Sequence, residues 1–148
     1  MQLKTLPPVT ALVSTHRTTL QQLNQYIAVV ASALYAEAAA HSLISGPLFW
    51  IYRGMDGKPD TEFTLEIAVP IQGRFESSKF TIKDLAPFKA ITHRHEGPWD
   101  QLSGSYARVL QYVEDNKVVI NDECREIYLN MDFNNPANNI TEIQMGAL

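Results

Sequence analysis

The residue with the clearest chemistry in this 148-residue chain is Glu126, a carboxylate within Cys124-Arg125-Glu126-Ile127-Tyr128-Leu129-Asn130. The stretch reads as a strand. Strand side chains alternate, so Glu126, Tyr128 and Asn130 share one face while Arg125, Ile127 and Leu129 share the other. A carboxylate on the floor of a cleft with aromatic rings around it attracts a flat, apolar cation, by charge and by ring contact together. Left empty and partly desolvated, Glu126 would have a raised pKa, and a bound cation would lower it again. The same pattern also fits a solvated or ion-paired strand glutamate, and both readings stay open at this level.

Other side chains offer further chemistry. Glu66 and Glu142 fall on predicted strands and could supply a second carboxylate to the same groove. Hydrolysis would use such a pair, one group protonating a leaving atom or activating water while the other stabilises positive charge. Trp50 and Tyr52 lie on one face of another strand, where large aromatics are also ordinary packing residues. His93 and His95 share a strand face at a spacing of two, but His16 and His41 add no matching ligand spacing, so no metal is expected. The chain has no phosphate-binding glycine loop, no GxSxG elbow and no cysteine-nucleophile pattern, and no cofactor is expected. Asn139-Ile140-Thr141 matches a glycosylation acceptor and reads as incidental without a secretion signal.

The elements that must position these groups follow from local pattern. Val9 to Thr15 reads as a first strand, and Thr19 with Gln22 has the spacing of a capping box that would start a helix. Leu20, Leu23, Ile27, Val30 and Leu34 form its apolar stripe, and Ser45-Gly46-Pro47 ends the segment. Leu48 to Arg53 and Thr61 to Val69 then form a hairpin around a turn-rich segment, with Phe63, Leu65, Ile67 and Val69 on one face. Gln72 to Ala86 reads as a linker. After it, Phe88 to His95 is a strand, and Trp99, Leu102, Tyr106, Val109, Leu110 and Val113 form a second helical stripe. By periodicity Tyr106 belongs to the core. The Glu126 strand, an Asn-rich loop and a final strand at Ile140 to Met145 complete the chain.

The order strand, helix, strand, strand therefore occurs twice. The expected fold is α+β: duplicated βαββ units related by a pseudo-twofold axis, forming one largely antiparallel sheet. Two long helices would lie on one side and a ligand groove on the other. We expect one domain over residues 1–148, with halves at about 7–72 and 86–146, and the groove along the axis walled by both halves. Pseudo-symmetry with Glu126 and Tyr128 puts Trp50 and Tyr52 in that groove.

Composition narrows the function classes. The chain is 45% hydrophobic and 19% charged, enough for a core without disulfides. Its one cysteine, Cys124, and the absence of a signal peptide suggest a cytoplasmic protein. No window is long and apolar enough for a membrane span, and a net charge of -4 without a Lys/Arg cluster argues against direct nucleic-acid contact.

The element order, the segment Thr92-His93-Arg94-His95-Glu96-Gly97-Pro98-Trp99-Asp100-Gln101-Leu102 and the strand Arg125 to Leu129 together resemble the GyrI-like superfamily. This is the effector-binding domain of some AraC-type and MerR-type transcription regulators, also found as a free-standing protein. The resemblance spans about Val9 to Gly146. It implies a duplicated βαββ fold and a groove for flat, often cationic, hydrophobic compounds, including multidrug ligands. It also implies that Glu126 faces the ligand, with Tyr128 as an aromatic neighbour, and that Trp99 is the bulky residue after the glycine turn. Regulators of this type need a DNA-reading module ahead of the domain, whereas here the first strand is expected within the first ten residues. The chain is therefore expected to be a stand-alone binder, with a small hydrophobic or cationic ligand as its partner. The alternatives are a hydrolase of cyclopropane-bearing electrophiles on the same groove, as described for some relatives, and a protein-interaction role such as gyrase inhibition.

Overall fold

The computed structural model describes residues 1–27, 29–77 and 79–148, and the side chain of Ile27, one of the expected stripe residues, also lies outside the described set. Eight strands form one antiparallel sheet: β1 (Gln2–Leu6), β2 (Val9–Thr18), β3 (Phe49–Arg53), β4 (Phe63–Pro70), β5 (Thr81–Leu85), β6 (Phe88–Glu96), β7 (Ile120–Asn130) and β8 (Ile140–Ala147). Their spatial order is β1-β6-β8-β7-β3-β4-β2-β5, which reads symmetrically about the β7–β3 pair. Helices α1 (Asn24–Ile27) and α2 (Val30–Ala40) follow β2, and α3 (Leu102–Asp115) follows β6. The fold is the α+β arrangement expected from the duplicated pattern. Among the described residues, no helix is long and apolar enough to cross a membrane.

Three local expectations are corrected. The segment read as a linker contains β5, and β1 precedes the strand expected to come first. Each of these leading strands pairs with the other half of the chain, β1 with β6 and β5 with β2. Third, Thr19 makes no side-chain cap; a short 3-10 turn at Leu20–Gln22 leads into α1 instead.

The exchanged strands dictate the shape of the sheet. In a flat sheet β1 and β2 would lie six strand spacings apart, about 29 Å. Only Pro7 and Pro8 join them, a link that can reach about 11 Å. Ala86 and Pro87 face the same demand between β5 and β6. The sheet therefore curls until the linked strand ends come within that reach. That explains why Ala11, Val13, Phe49, Ile51 and Ala68, on the face without helices, are nevertheless buried.

The other face carries the helices. Leu34 and Ala38 of α2 pack with Leu12, Leu65, Ile67 and Val69, and Val109 of α3 packs with Ile91, Ile143 and Met145. Each helix thus covers the outer strands of its own half. The central strands β3 and β7 are left open between them.

Candidate functional site

That opening is a cavity of about 1020 Å³, with β3 and β7 as floor, α1 and α2 on one side and α3 on the other. It lies on the helix face, which corrects the expectation of a groove behind the helices. The physical reason is the curl: the opposite face is turned inward and filled. There Glu66 accepts from Arg53 and from Lys83, the latter at 2.5 Å, while Glu123 pairs with Arg53 at 3.1 Å and Arg125 at 2.7 Å. The Arg125 guanidinium also lies 3.9 Å from the centre of the Phe88 ring.

Strand register brings the expected residues together. Trp50 stands opposite Glu126 and Tyr52 opposite Cys124 in the β3–β7 pair, so all four, with Tyr128, face the cavity. Glu126 is only 6% exposed. Three tyrosine hydroxyls donate to its carboxylate: Tyr128 to Oε1 at 2.8 Å, Tyr52 to Oε1 at 3.2 Å and Tyr106 to Oε2 at 2.5 Å. Trp99 closes the wall beside Tyr128, ring centroids 5.8 Å apart at 71°, and its indole N–H donates to the Thr141 hydroxyl at 3.2 Å. Trp50 meets Tyr128 edge-on at 6.0 Å, and its own buried indole N–H has no partner among the described residues.

Electrostatics follow from burial. Desolvation pushes the Glu126 carboxyl above its ordinary range, and the hydroxyls of Tyr106, Tyr128 and Tyr52 oppose that rise without cancelling it. Burial next to the same carboxylate raises Tyr52, Tyr106 and Tyr128 well above the usual phenol value, so all three stay protonated donors. The Cys124 thiol is pushed up to about 12, mainly by burial. Among the described lining residues there are acidic side chains but no lysine, arginine or histidine, and Glu126 makes no ion pair.

Several expected groups lie elsewhere. Glu66 pairs in register with Ile51 and Glu142 with Ile127, on the inward face, so neither joins Glu126 as a second carboxylate. His95 is held by Ser105 and the Pro98 carbonyl, and no group of three or more potential metal ligands occurs among the described residues. Asn139 and Thr141 of the glycosylation pattern are buried. The residue that sequence reasoning missed is Tyr106. Its stripe position is correct, but it reaches past the core to Glu126, and the available signal was a hydroxyl that a buried tyrosine must satisfy.

Comparison with known proteins adds the following. No curated protein sequence matches the chain significantly. The fold is similar to that of EcmrR in its DNA complex, with a TM-score of 0.79 at 18% identity over 99% of this chain and 56% of that one. This chain therefore spans little more than half of EcmrR; the EcmrR C-terminal domain alone is covered to 96%, with a TM-score of 0.78 at 17% identity. SAV2435 bound to tetraphenylphosphonium is similar with a TM-score of 0.68 at 20% identity, covering 99% of this chain and 93% of that one. A hydrolase from Listeria innocua is similar with a TM-score of 0.66 at 14% identity, covering 99% and 91%. The sequence model of the GyrI-like small-molecule-binding domain matches residues 1–147, and the chain belongs to that family.

Proposed function

We propose that this small-molecule-binding domain takes flat, hydrophobic, cationic compounds, with Glu126 as the selector of positive charge. One observation carries the reading: a buried carboxylate, held by three tyrosine hydroxyls, faces a large cavity whose described lining includes no basic side chain. The ligand itself would supply the missing countercharge. Trp50, Tyr52, Trp99 and Tyr128 would provide ring faces and apolar area, since charge alone does not reach micromolar affinity, about 8 kcal/mol. That SAV2435 holds tetraphenylphosphonium in a similar fold supports this ligand class. In this reading the protein acts in the cytoplasm as a multidrug-type binder and makes no direct nucleic-acid contact.

A thermal-shift titration with tetraphenylphosphonium and other aromatic cations tests the proposal. Saturation at a hundred times Kd stabilises by about 2.7 kcal/mol. A melting temperature unmoved by any cationic aromatic probe would reject it.

A second reading, hydrolysis of cyclopropane-bearing or similar electrophiles, draws on the same raised carboxyl, which keeps its proton to higher pH than an ordinary glutamate and could pass it to a leaving group. With Glu66 and Glu142 turned to the other face, such chemistry would depend on Glu126 and the tyrosine hydroxyls alone. Product analysis with a reactive substrate separates turnover from binding. Turnover that persists unchanged in Glu126→Gln would sink this mechanism.

A further inference from the structure

Behind the Glu126 site, outside the cavity lining, sits a buried histidine that joins two of the cavity's walls. His95 is 6% exposed and both of its ring nitrogens are engaged. Nε2 lies 3.0 Å from the Pro98 carbonyl oxygen and Nδ1 lies 2.7 Å from the Ser105 hydroxyl. A carbonyl only accepts, so Nε2 carries the hydrogen, and in the neutral ring Nδ1 accepts from Ser105. Each partner is next in sequence to a residue of the site. Pro98 precedes Trp99, and Ser105 precedes Tyr106 on α3.

We infer that His95 is a positioning residue for the ligand site: by holding Ser105 and the Pro98 carbonyl it fixes Tyr106 against Glu126 and Trp99 against Tyr128. The local chain needs such a tie. Gly97 has a positive φ of 122°, a conformation open to glycine, and the chain then turns through a short 3-10 segment at Trp99–Gln101 before α3 begins. Neither that segment nor α3 has a side-chain cap at its start. A small rotation of α3 would draw the Tyr106 hydroxyl off the carboxylate, and a hydrogen bond weakens steeply with distance and angle.

The inference rests on the reading of Glu126 as charge selector, and the test keeps the two separable. The groups facing Glu126 are Tyr52 from β3, Cys124 and Tyr128 from its own strand and Tyr106 from α3, with His95 of β6 behind them. Affinity for tetraphenylphosphonium is measured by calorimetry from pH 5 to 9, with neutral triphenylphosphine oxide as control. In the wild type, cation affinity rises with pH as Glu126 ionises and then levels off. Tyr106→Phe removes a donor to the charged form, so the midpoint moves up by about one pH unit.

Ser105→Ala, a mild change that keeps the imidazole, and His95→Leu each move the midpoint the same way. His95→Gln, which retains a donor and an acceptor, partly restores it. In the Tyr106→Phe background, Ser105→Ala produces no further shift, because its effect runs through Tyr106. A midpoint that Tyr106→Phe moves and Ser105→Ala and His95→Leu leave in place overturns the role of His95. Full additivity of Ser105→Ala with Tyr106→Phe overturns it as well. No shift in any variant, Tyr106→Phe included, contradicts the reading of Glu126 itself and this inference with it.

Discussion

The Tyr52 hydroxyl donates to Glu126 across the β3–β7 pair at 3.2 Å, so the two halves of the chain meet in one hydrogen bond at the floor of the cavity. This strand pair is the centre of the sheet, and neither half could build the site alone. The consequence is energetic as well as geometric: burial raises the energy of the Glu126 carboxylate, and the tyrosines recover only part of it.

Empty protein should therefore show a definite pH signature. Folding raises the Glu126 pKa above its unfolded value, about 4.3. Stability linked to this group is then fully present below that value and is lost as pH rises through the folded value. Relative to wild type, Glu126→Gln should gain in melting temperature between pH 4 and pH 8. Parallel melting profiles across that range would contradict the raised carboxyl.

Glu66 has the opposite sign. Burial pushes its carboxyl up, but hydrogen bonds and charge from Arg53 and Lys83 outweigh burial and hold it below the usual range. Its stabilising contribution is present above the unfolded pKa and lost as pH falls through the folded one. Arg53→Met strips one partner from a carboxylate that is 2% exposed, and urea unfolding at pH 7 should show a loss of about 3 kcal/mol. A loss under about 1 kcal/mol would mean that Lys83 suffices alone.

Gly146 marks a close approach of β7 and β8. A Cβ there would lie 2.7 Å from the Glu123 carbonyl oxygen and closer still to Asn121 Oδ1, beside a register shift between Ile120 and Cys124. Asn121 can rotate away, but the backbone carbonyl cannot. Gly146→Ala should cost about 1–3 kcal/mol in chemical denaturation, as overpacking does, and a neutral result would show that the bulge absorbs the methyl.

How much of this was legible in the sequence depended on whether a signal was local. The alternation of Phe63, Leu65, Ile67 and Val69, the Glu126 strand and the repeated strand-helix-strand-strand order are local patterns, and they hold in the structure. β1 and β5 are short and contain no fully buried residue, and their partners lie far along the chain, Gln2 opposite Thr92 and Val9 opposite Leu85. Nothing in Gln2-Leu3-Lys4-Thr5-Leu6 announces such a partner. Without those edges the curl was invisible, and so was the side on which the groove opens. Tyr106 escaped for a related reason: periodicity finds the stripe but not the reach of a side chain across a cavity.

The most direct test of the central claim is the ratio of affinities for tetraphenylphosphonium and neutral triphenylphosphine oxide, measured by calorimetry at pH 8 in wild type and Glu126→Gln. If Glu126 selects charge, wild type prefers the cation by at least about tenfold, or about 1.4 kcal/mol. The variant then loses that preference while still binding the neutral compound. A cation preference equal in both proteins would contradict the account.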